Sequence, residues 1–141
     1  MWVERNDEKY CWTWTRYYND ALSFAKACNH LNVAERSAVA IMGFNAPEWA
    51  IAFMGTVMNN NVNTGIYITN TAEACLYQAT HSESQVIVVE TAEHLRQFTC
   101  NIDKYNQVKA FVIWGESSLP DGISDPRFFL WEDFLQLGQG V

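Results

Sequence analysis

Apolar residues follow two alternating patterns along the chain. Short runs dominated by apolar and β-branched residues predict buried strands, and they lie at 38–42, 62–68, 85–89 and 110–114. Between these runs, apolar residues recur at the three- and four-residue spacing of a helix with one buried face. The first helix has such a face, formed by Tyr17, Ala21, Phe24, Cys28 and Leu31. The pattern therefore predicts helices and strands in alternation.

Threonines mark the start of two predicted helices. Thr15 is the predicted N-cap of a helix that ends near residue 29, and Thr71 is the predicted N-cap of a helix with one apolar face. That face is formed by Ala72, Cys75, Leu76 and Ala79. Further helices are expected at 95–102 and 131–137, where apolar residues again recur at helical spacing.

The second helix is predicted from Pro47 to about residue 59. Asn45 is the predicted cap, Pro47 suits an early helical position, and Glu48 lies near the positive end of the helix dipole. The three asparagines at 59–61 predict a left-handed turn after the helix. Because this helix is apolar nearly all round, it is expected to lie deep in the fold.

Helices between buried strands are typical of βαβ units, so the fold class is predicted to be α/β. The chain is expected to form part of a doubly wound, mostly parallel sheet with helices on both faces. A short strand is expected at 10–13, ahead of the first helix, and an extended segment at 127–130. The segment 119–126 contains two prolines and a glycine, which predict a loop.

The charge and apolar content exclude several classes of protein. The 141 residues include 16 acidic and 9 basic side chains, for a net charge of -7. No cluster of Lys and Arg is present, so nucleic-acid binding is not predicted. The longest apolar run, 49–58, is about half the ~20 residues that span a bilayer. No transmembrane segment is therefore predicted.

The N-terminal residues and the spacing of the cysteines both predict a cytoplasmic location. Residues 1–9 include Glu4, Asp7 and Glu8, where a secretory signal peptide would be basic and then apolar. The four cysteines lie far apart in the sequence, which predicts buried or half-buried thiols in a reducing compartment rather than a metal site or a disulfide framework. They are Cys11, Cys28, Cys75 and Cys100.

Local motifs for chemistry are absent from the sequence. No G-x-G-x-x-G, phosphate-binding loop or G-x-S-x-G is present, and His30, His81 and His94 lie far apart. Gly43-Phe44-Asn45 is a predicted strand-to-helix turn that could offer amides to an anion, although a helix cap is favoured. We therefore predict no catalytic, no cofactor-binding and no metal-binding residue in this chain.

Aromatic residues near the N-terminus allow two interpretations. Trp12, Trp14, Tyr17 and Tyr18 could line a ligand pocket or contact a partner. Packing within the core or an interface is the commoner use of such side chains, and it is the favoured prediction.

Two segments resemble a known family. Residues 43–49, GFNAPEW, resemble the G-x-N-x-x-E-W segment of long-chain acyl-CoA synthetases. Residues 65–77, GIYITNTAEACLY, resemble the G-I-Y-x-T-N-x-x-E-A-C-x-Y segment of the bubblegum branch. The flanking segments 13–18 and 130–138 also resemble this branch. The chain is thus identified as similar to the N-terminal portion of the large domain of an adenylate-forming, AMP-binding enzyme.

The resemblance implies an ATP- and Mg-dependent long-chain fatty acid–CoA ligase. Such an enzyme converts fatty acid, ATP and CoA to acyl-CoA, AMP and pyrophosphate through an acyl-adenylate. None of the family's phosphate loop, ribose-binding carboxylate or C-terminal lysine falls on a position in this chain. Residues 1–141 are therefore expected to be a partial N-terminal AMP-binding domain that lacks the phosphate-loop region and the C-terminal domain. Alone, it is expected to bind no ATP, Mg or CoA and to be inactive.

The resemblance also carries expectations about location and about individual residues. It implies a cytoplasmic protein, with peripheral association with the endoplasmic reticulum membrane left open. The asparagines at 59–61 stand where the family has small residues. Gly65 and Tyr67 are expected on a strand whose neighbours approach the fatty-acid channel, and core packing is the alternative for them.

Two other functions stay open from the sequence. One is a non-catalytic α/β binding module that holds a partner through exposed aromatic residues. The other is part of an adenylate-forming ligase whose substrate is not a fatty acid, because the acyl pocket cannot be assigned from these residues.

Overall fold

The computed structural model describes residues 1–140. The strands are β1 (Trp2–Arg5), β2 (Glu8–Cys11), β3 (Ala38–Met42), β4 (Val62–Gly65), β5 (Ser84–Val89), β6 (Ala110–Ile113) and β7 (Phe128–Leu130). The helices are α1 (Trp14–His30), α2 (Pro47–Met58), α3 (Ala72–His81), α4 (Ala92–Thr99) and α5 (Trp131–Gln139), and a short 3-10 helix lies at Ile102–Lys104.

Five strands form one parallel sheet, in the order β4-β3-β5-β6-β7. Of these five strands, β3 comes first along the chain. Strand β4 pairs with one side of β3, and β5 pairs with the other side. One face of the sheet is covered by α1, α2 and α5, and the other by α3 and α4. The predicted α/β class, with a parallel sheet and helices on both faces, is confirmed.

The four predicted core strands are all present. Strand β3 has the predicted bounds, and β5 and β6 differ from prediction by one residue. Strand β4 is shorter than predicted, because it ends at Gly65, opposite Ile41 near the end of β3. The Ile66 amide still donates to the Ile41 carbonyl, and β3 itself ends at Met42, directly after Ile41. The extended segment predicted at 127–130 is the edge strand β7.

The N-cap of helix α1 lies two residues earlier than predicted. The cap is Thr13, whose hydroxyl accepts a hydrogen bond from the Arg16 amide at 3.1 Å, so the prediction of Thr15 is wrong. The backbone is still extended at Thr13 (φ -69°, ψ 163°) and becomes helical directly after it. A cap must occupy that last extended position, and Thr15 is already inside the helix.

The start of α2 also differs from prediction. Ala46 is the N-cap residue and makes no side-chain cap hydrogen bond, so Asn45 does not cap the helix. Pro47 occupies the first turn as predicted. Glu48 lies near the helix N-terminus as predicted, but it also accepts two hydrogen bonds from the Arg5 guanidinium, at 2.7 and 2.6 Å. A carboxylate and an arginine together therefore stabilise this helix end.

Only one side of α2 is buried, although its composition predicts full burial. Ile51 and Ala52 are fully buried, whereas Phe53, Val57 and Met58 are exposed. The helix packs on α1 and on β3 and β4, and β4 is an edge strand. Because β4 ends the sheet, none of the described elements covers the outer side of α2.

The turn after α2 follows the asparagine prediction. Asn60 has a left-handed backbone conformation (φ 58°), as predicted for this triplet. The Asn61 side chain is buried and its amide donates to the Ala34 carbonyl at 2.7 Å. Asn59 donates to the Asn61 side chain at 2.7 Å. The asparagine side chains therefore provide hydrogen bonds that hold the loop leading into β4.

The N-terminal residues form a hairpin that was only partly predicted. The strand expected at 10–13 is β2, displaced towards the N-terminus, and its antiparallel partner β1 was missed. Asn6 and Asp7 form the connecting turn, both with positive φ (51° and 62°). An Asn-Asp pair between two short segments favours a hairpin turn. The charged residues around this pair break the apolar alternation by which the two strands could have been predicted.

Truncation of Arg5 should destabilise the fold through Glu48. Arg5→Met leaves a carboxylate that is 5% exposed without its cation. Because Arg5 itself is 36% exposed, we expect a loss of about 1–3 kcal/mol in the free energy of unfolding, measured by urea denaturation. The matched control, Lys9→Met on the same hairpin, should change it by less than about 0.5 kcal/mol. Equal losses in both variants would contradict this role.

The four cysteines should differ in reactivity. Cys11 and Cys100 are exposed, whereas Cys28 and Cys75 are buried, and burial raises the pKa of these two thiols to about 12 and about 11. At about pH 8 the buried thiols stay protonated and therefore unreactive. Titration with a thiol reagent should label only the exposed pair in the native chain and all four in denaturant. Rapid native labelling of a third thiol would contradict the burial.

Candidate functional site

The carboxyl ends of β3 and β4 form a cleft with the start of α2. The cleft has a volume of about 350 Å³. Its lining residues are uncharged, and they are Ile41, Gly43, Asn45, Trp49, Gly65, Ile66 and Tyr67. In open α/β sheets, ligands bind outside the carboxyl ends of the strands. The cleft is therefore the candidate functional site of the described residues.

The cleft lies beside the point at which the strand order reverses. That point is between β3 and β5, where ligands of doubly wound sheets commonly bind. Here the Glu90 carboxylate accepts a hydrogen bond from the Phe44 amide at 2.8 Å. The Trp114 ring lies against Gly43. The chain's own side chains thus fill the reversal point, and the open space lies to one side, between β3 and β4.

The turn predicted to offer amides to an anion is occupied by that same carboxylate. Glu90 takes the Phe44 amide, and Glu116 accepts from the Ala92 amide at the start of α4 at 3.0 Å. These two carboxylates supply the negative charge that the free amides favour. An external phosphate at these two amides would meet the negative charge of Glu90 and Glu116.

Two glycines on the cleft play opposite roles. A Cβ atom at Gly43 would lie 2.5 Å from two carbons of the Trp114 ring and 2.9 Å from the Glu90 Cβ. A Cβ atom at Gly65 would meet no atom within 4 Å. Gly43 is therefore required by close packing, whereas Gly65 borders open space.

Aromatic side chains form the walls of the cleft. Tyr67 is 77% exposed, so the alternative of core packing for this residue is wrong. Trp49 is half-buried and stacks on Phe53, with ring centroids 5.8 Å apart and planes inclined by 15°. Gly65 and Tyr67 are candidates from the sequence, whereas Trp49 and Ile41 are not. Trp49 belongs to α2 and Ile41 to β3, and only the fold brings them to the same cleft.

The histidines do not come together. His30 is at the exposed end of α1, and His81 is exposed at the end of α3, where it stacks on Tyr77 at 5.5 Å. His94 lies half-buried in α4. Across residues 1–140, no group of three His, Cys, Asp or Glu side chains has a geometry that could hold a metal ion.

The N-terminal aromatic residues divide between core and surface. Trp12 is buried and donates from its indole to Asp20 at 3.1 Å, and Tyr17 is half-buried and donates to the Ala50 carbonyl at 3.3 Å. Trp14 and Tyr18 are exposed. Core packing thus accounts for two of the four, and the other two are free to contact another molecule.

Comparison with known proteins agrees with this architecture. The family described as AMP-binding enzyme matches residues 2–123. The chain belongs to this family. It is 31% identical over 138 residues to the long-chain-fatty-acid–CoA ligase ACSBG2 of Xenopus laevis, covering 98% of this chain and 18% of that protein. It is 36% identical over 126 residues to ACSBG1 of Rattus norvegicus, covering 89% and 17%. The resemblance to bubblegum-type ligases is confirmed, and the chain spans about a fifth of these relatives' length.

Solved structures share the fold at low sequence identity. The anthranilate CoA ligase AuaEII in complex with anthranoyl-AMP superposes with a TM-score of 0.78 at 19% identity, over 93% of this chain and 24% of that chain. A benzoate CoA ligase from Burkholderia xenovorans LB400 gives 0.71 at 17% identity, with the same coverage. The chain therefore has the fold of about a quarter of each of these CoA ligase structures.

The length and apolar character of the helices test the prediction that the chain has no transmembrane segment. Among residues 1–140, none of the helices combines the length and apolar character that crossing a bilayer requires.

Alanine at the two glycines should separate their roles. Gly43→Ala forces the Trp114 ring or Glu90 to move, so we expect a loss of about 1–3 kcal/mol in the free energy of unfolding. Gly65→Ala meets no neighbour, and we expect no loss, or a gain of up to about 1 kcal/mol from the less flexible unfolded chain. Urea denaturation of both variants measures the difference. A comparable loss at Gly65 would show that its surroundings are packed.

Proposed function

We propose that this chain serves as the N-terminal part of an ATP-dependent long-chain fatty acid–CoA ligase. The observation that carries the proposal is the match of residues 2–123 to the AMP-binding enzyme family, together with the similarity of nearly the whole chain to the fatty acid ligases. The cleft at the carboxyl edge of the sheet, where ligands of open α/β sheets bind, lies within the residues that match the family.

The proposed reaction has two steps. The fatty acid carboxylate attacks the α-phosphorus of ATP and expels pyrophosphate, which leaves an acyl-adenylate. The thiol of CoA then attacks the acyl carbon, and AMP leaves. Mg and positively charged side chains would stabilise the charge that develops on the phosphates.

The residues of this chain take a structural part in that reaction. Glu90 and Glu116 already occupy the free amides at the carboxyl edge, which disfavours phosphate binding there. We therefore assign no catalytic, ATP-binding, Mg-binding or CoA-binding residue to this chain. A partial AMP-binding domain of residues 1–141 should be inactive without a phosphate-loop segment and a C-terminal domain. We place the complete protein in the cytoplasm, with peripheral contact with the endoplasmic reticulum membrane as an option.

A binding module is the second candidate. The observation that favours it is the exposure of Trp14 (87%) and Tyr18 (54%) on adjoining turns of α1. Large aromatic side chains on a surface are common where proteins contact partners. An adenylate-forming ligase for a different carboxylic acid is a third option, because the solved structures with this fold include ligases named for anthranilate and benzoate.

A chimeric ligase tests the leading proposal. The segment of the Xenopus ACSBG2 ligase that matches this chain is replaced by the corresponding 138 residues of this chain, and acyl-CoA formation from a 16-carbon fatty acid is measured. We expect activity within about tenfold of the parent ligase, because the shared fold should support the same catalytic segments. The isolated chain should give no fatty acid-dependent exchange of pyrophosphate into ATP.

The control chimera carries Gly43→Ala, which should lower activity through the packing of Trp114. A chimera that folds as the parent does but forms no acyl-CoA contradicts the proposal. A folded chimera that is active only with aromatic acids favours the third option. Exchange activity in the isolated chain would contradict the expected inactivity.

A further inference from the structure

Strand β4 leaves one edge of the five-stranded sheet open. In the part of the chain that the structure describes, β3 is the one strand with which β4 pairs. The Val62 and Ile66 amides both donate to carbonyls on the β3 side, at 3.0 Å. Alternate residues of a strand direct their backbone groups to opposite edges, so those of Asn63 and Gly65 point away from β3. A row of unpaired amides and carbonyls is a template for another strand.

This edge lacks the charged side chains, proline and β-bulge that commonly block strand pairing. Residues 62–65 are Val, Asn, Thr and Gly, and their register with β3 is unbroken. The strand is short, however, and a few backbone hydrogen bonds do not by themselves hold two strands together in water. A stable pair therefore also needs apolar contacts beside the strand.

Apolar side chains flank the open edge on both faces of the sheet. Phe53, Val57 and Met58 are exposed on the outer side of α2, and Val62 is exposed on β4. Asn63 joins the two elements, because its side-chain amide donates to the Phe53 carbonyl at 3.1 Å. Side chains alternate between the faces of a strand, so Val62 lies on the face away from α2. Burial of these side chains would supply the free energy that the short strand lacks.

The surface formed by β4 and the outer side of α2 is uncharged, and this property indicates which partner fits it. Residues 49–72 include nearly all of α2, the whole of β4 and the loop that follows, and they contain no Asp, Glu, Lys or Arg. A charged partner would lose hydration here without a compensating charge. A second copy brings the same uncharged surface. Although the chain has a net charge of -7, two copies can meet here without opposing carboxylates.

We propose that two copies of this chain pair through β4 and the outer side of α2 as a symmetric dimer. Asn63 and Gly65 lie on either side of Thr64, so a two-fold axis at Thr64 sets Asn63 of each copy opposite Gly65 of the other. In an antiparallel ladder, such a pair of residues exchanges two hydrogen bonds. The two α2 helices then lie on the same face of a continuous sheet and bury Phe53 and Val57 between them. This dimer does not depend on the proposed ligase function.

Sedimentation velocity of the 141-residue chain tests the dimer. The chain should sediment as a monomer at about 1 µM and as a dimer at about 200 µM, because a small interface gives a Kd in the micromolar range. Raising the sodium chloride concentration from about 0.05 M to about 0.5 M should strengthen the dimer, because salt screens the repulsion between two acidic chains. A dimer held by ion pairs would instead weaken.

Val57→Lys tests whether this surface forms the dimer. Val57 is exposed in the last turn of α2, where a lysine suits the helix dipole, so the monomer should keep its melting temperature. The variant brings two like charges to the interface and should weaken the dimer by about tenfold or more. Tyr77→Lys is the matched control. Tyr77 is exposed on α3, on the other face of the sheet, and the dimer of this variant should stay within about twofold of the parent.

Amide hydrogen exchange tests the strand pairing and needs no variant. Residue-resolved mass spectrometry should show rapid exchange at Asn63 and Gly65 at about 1 µM and protection at about 200 µM, because only the dimer pairs these amides. The Val62 and Ile66 amides should be protected at both concentrations.

Four results would overturn the inference. They are a monomer at every concentration, assembly into particles larger than a dimer, a dimer that Val57→Lys leaves unchanged, and a dimer in which Asn63 and Gly65 still exchange rapidly. Protection of these two amides in a monomer would also contradict it, because a segment of the same chain would then cover the edge.

Discussion

The close packing of α1 between α2 and α5 is the constraint on which the rest of the structure depends. Phe24 of α1 is fully buried and contacts the Phe134 ring at 5.1 Å between centroids. Glycines allow the neighbouring helices to come near: a Cβ atom at Gly55 would lie 2.7 Å from the Phe24 ring, and one at Gly138 would lie 2.0 Å from the Ser23 carbonyl oxygen. Helix α2 is thereby held over β3 and β4, and its first turn forms one side of the cleft.

The carboxyl edge of the sheet consists of a filled part and an open part. Between β3 and β5, Glu90 and Trp114 occupy the space with hydrogen-bonded and packed side chains. Between β3 and β4, an edge strand with a glycine leaves a cleft with uncharged walls. A ligand at this edge would therefore meet the open part, between β3 and β4.

Much of the fold could be predicted because buried parallel strands and amphipathic helices leave strong periodic patterns. Strand β3 was predicted to the residue, and the left-handed turn at Asn60 followed from the chemistry of asparagine. The caps of α1 and α2 were placed wrongly. A cap depends on where the extended backbone ends, and for α1 that point is set by the preceding hairpin. Full burial of α2 was also predicted wrongly, because composition does not reveal that β4 is an edge strand.

The sequence by itself determined the alternation of helices and strands, the parallel sheet and the resemblance to acyl-CoA ligases, since each depends on local spacing or on contiguous motifs. Only the tertiary structure decided the site. Gly43 and Gly65 are the same residue type at the ends of neighbouring strands, yet one is crowded and the other borders open space. The difference lies in Trp114, which follows β6 and reaches Gly43 only through the pairing order of the sheet. Contacts between residues so far apart in sequence have no local pattern from which they could be predicted.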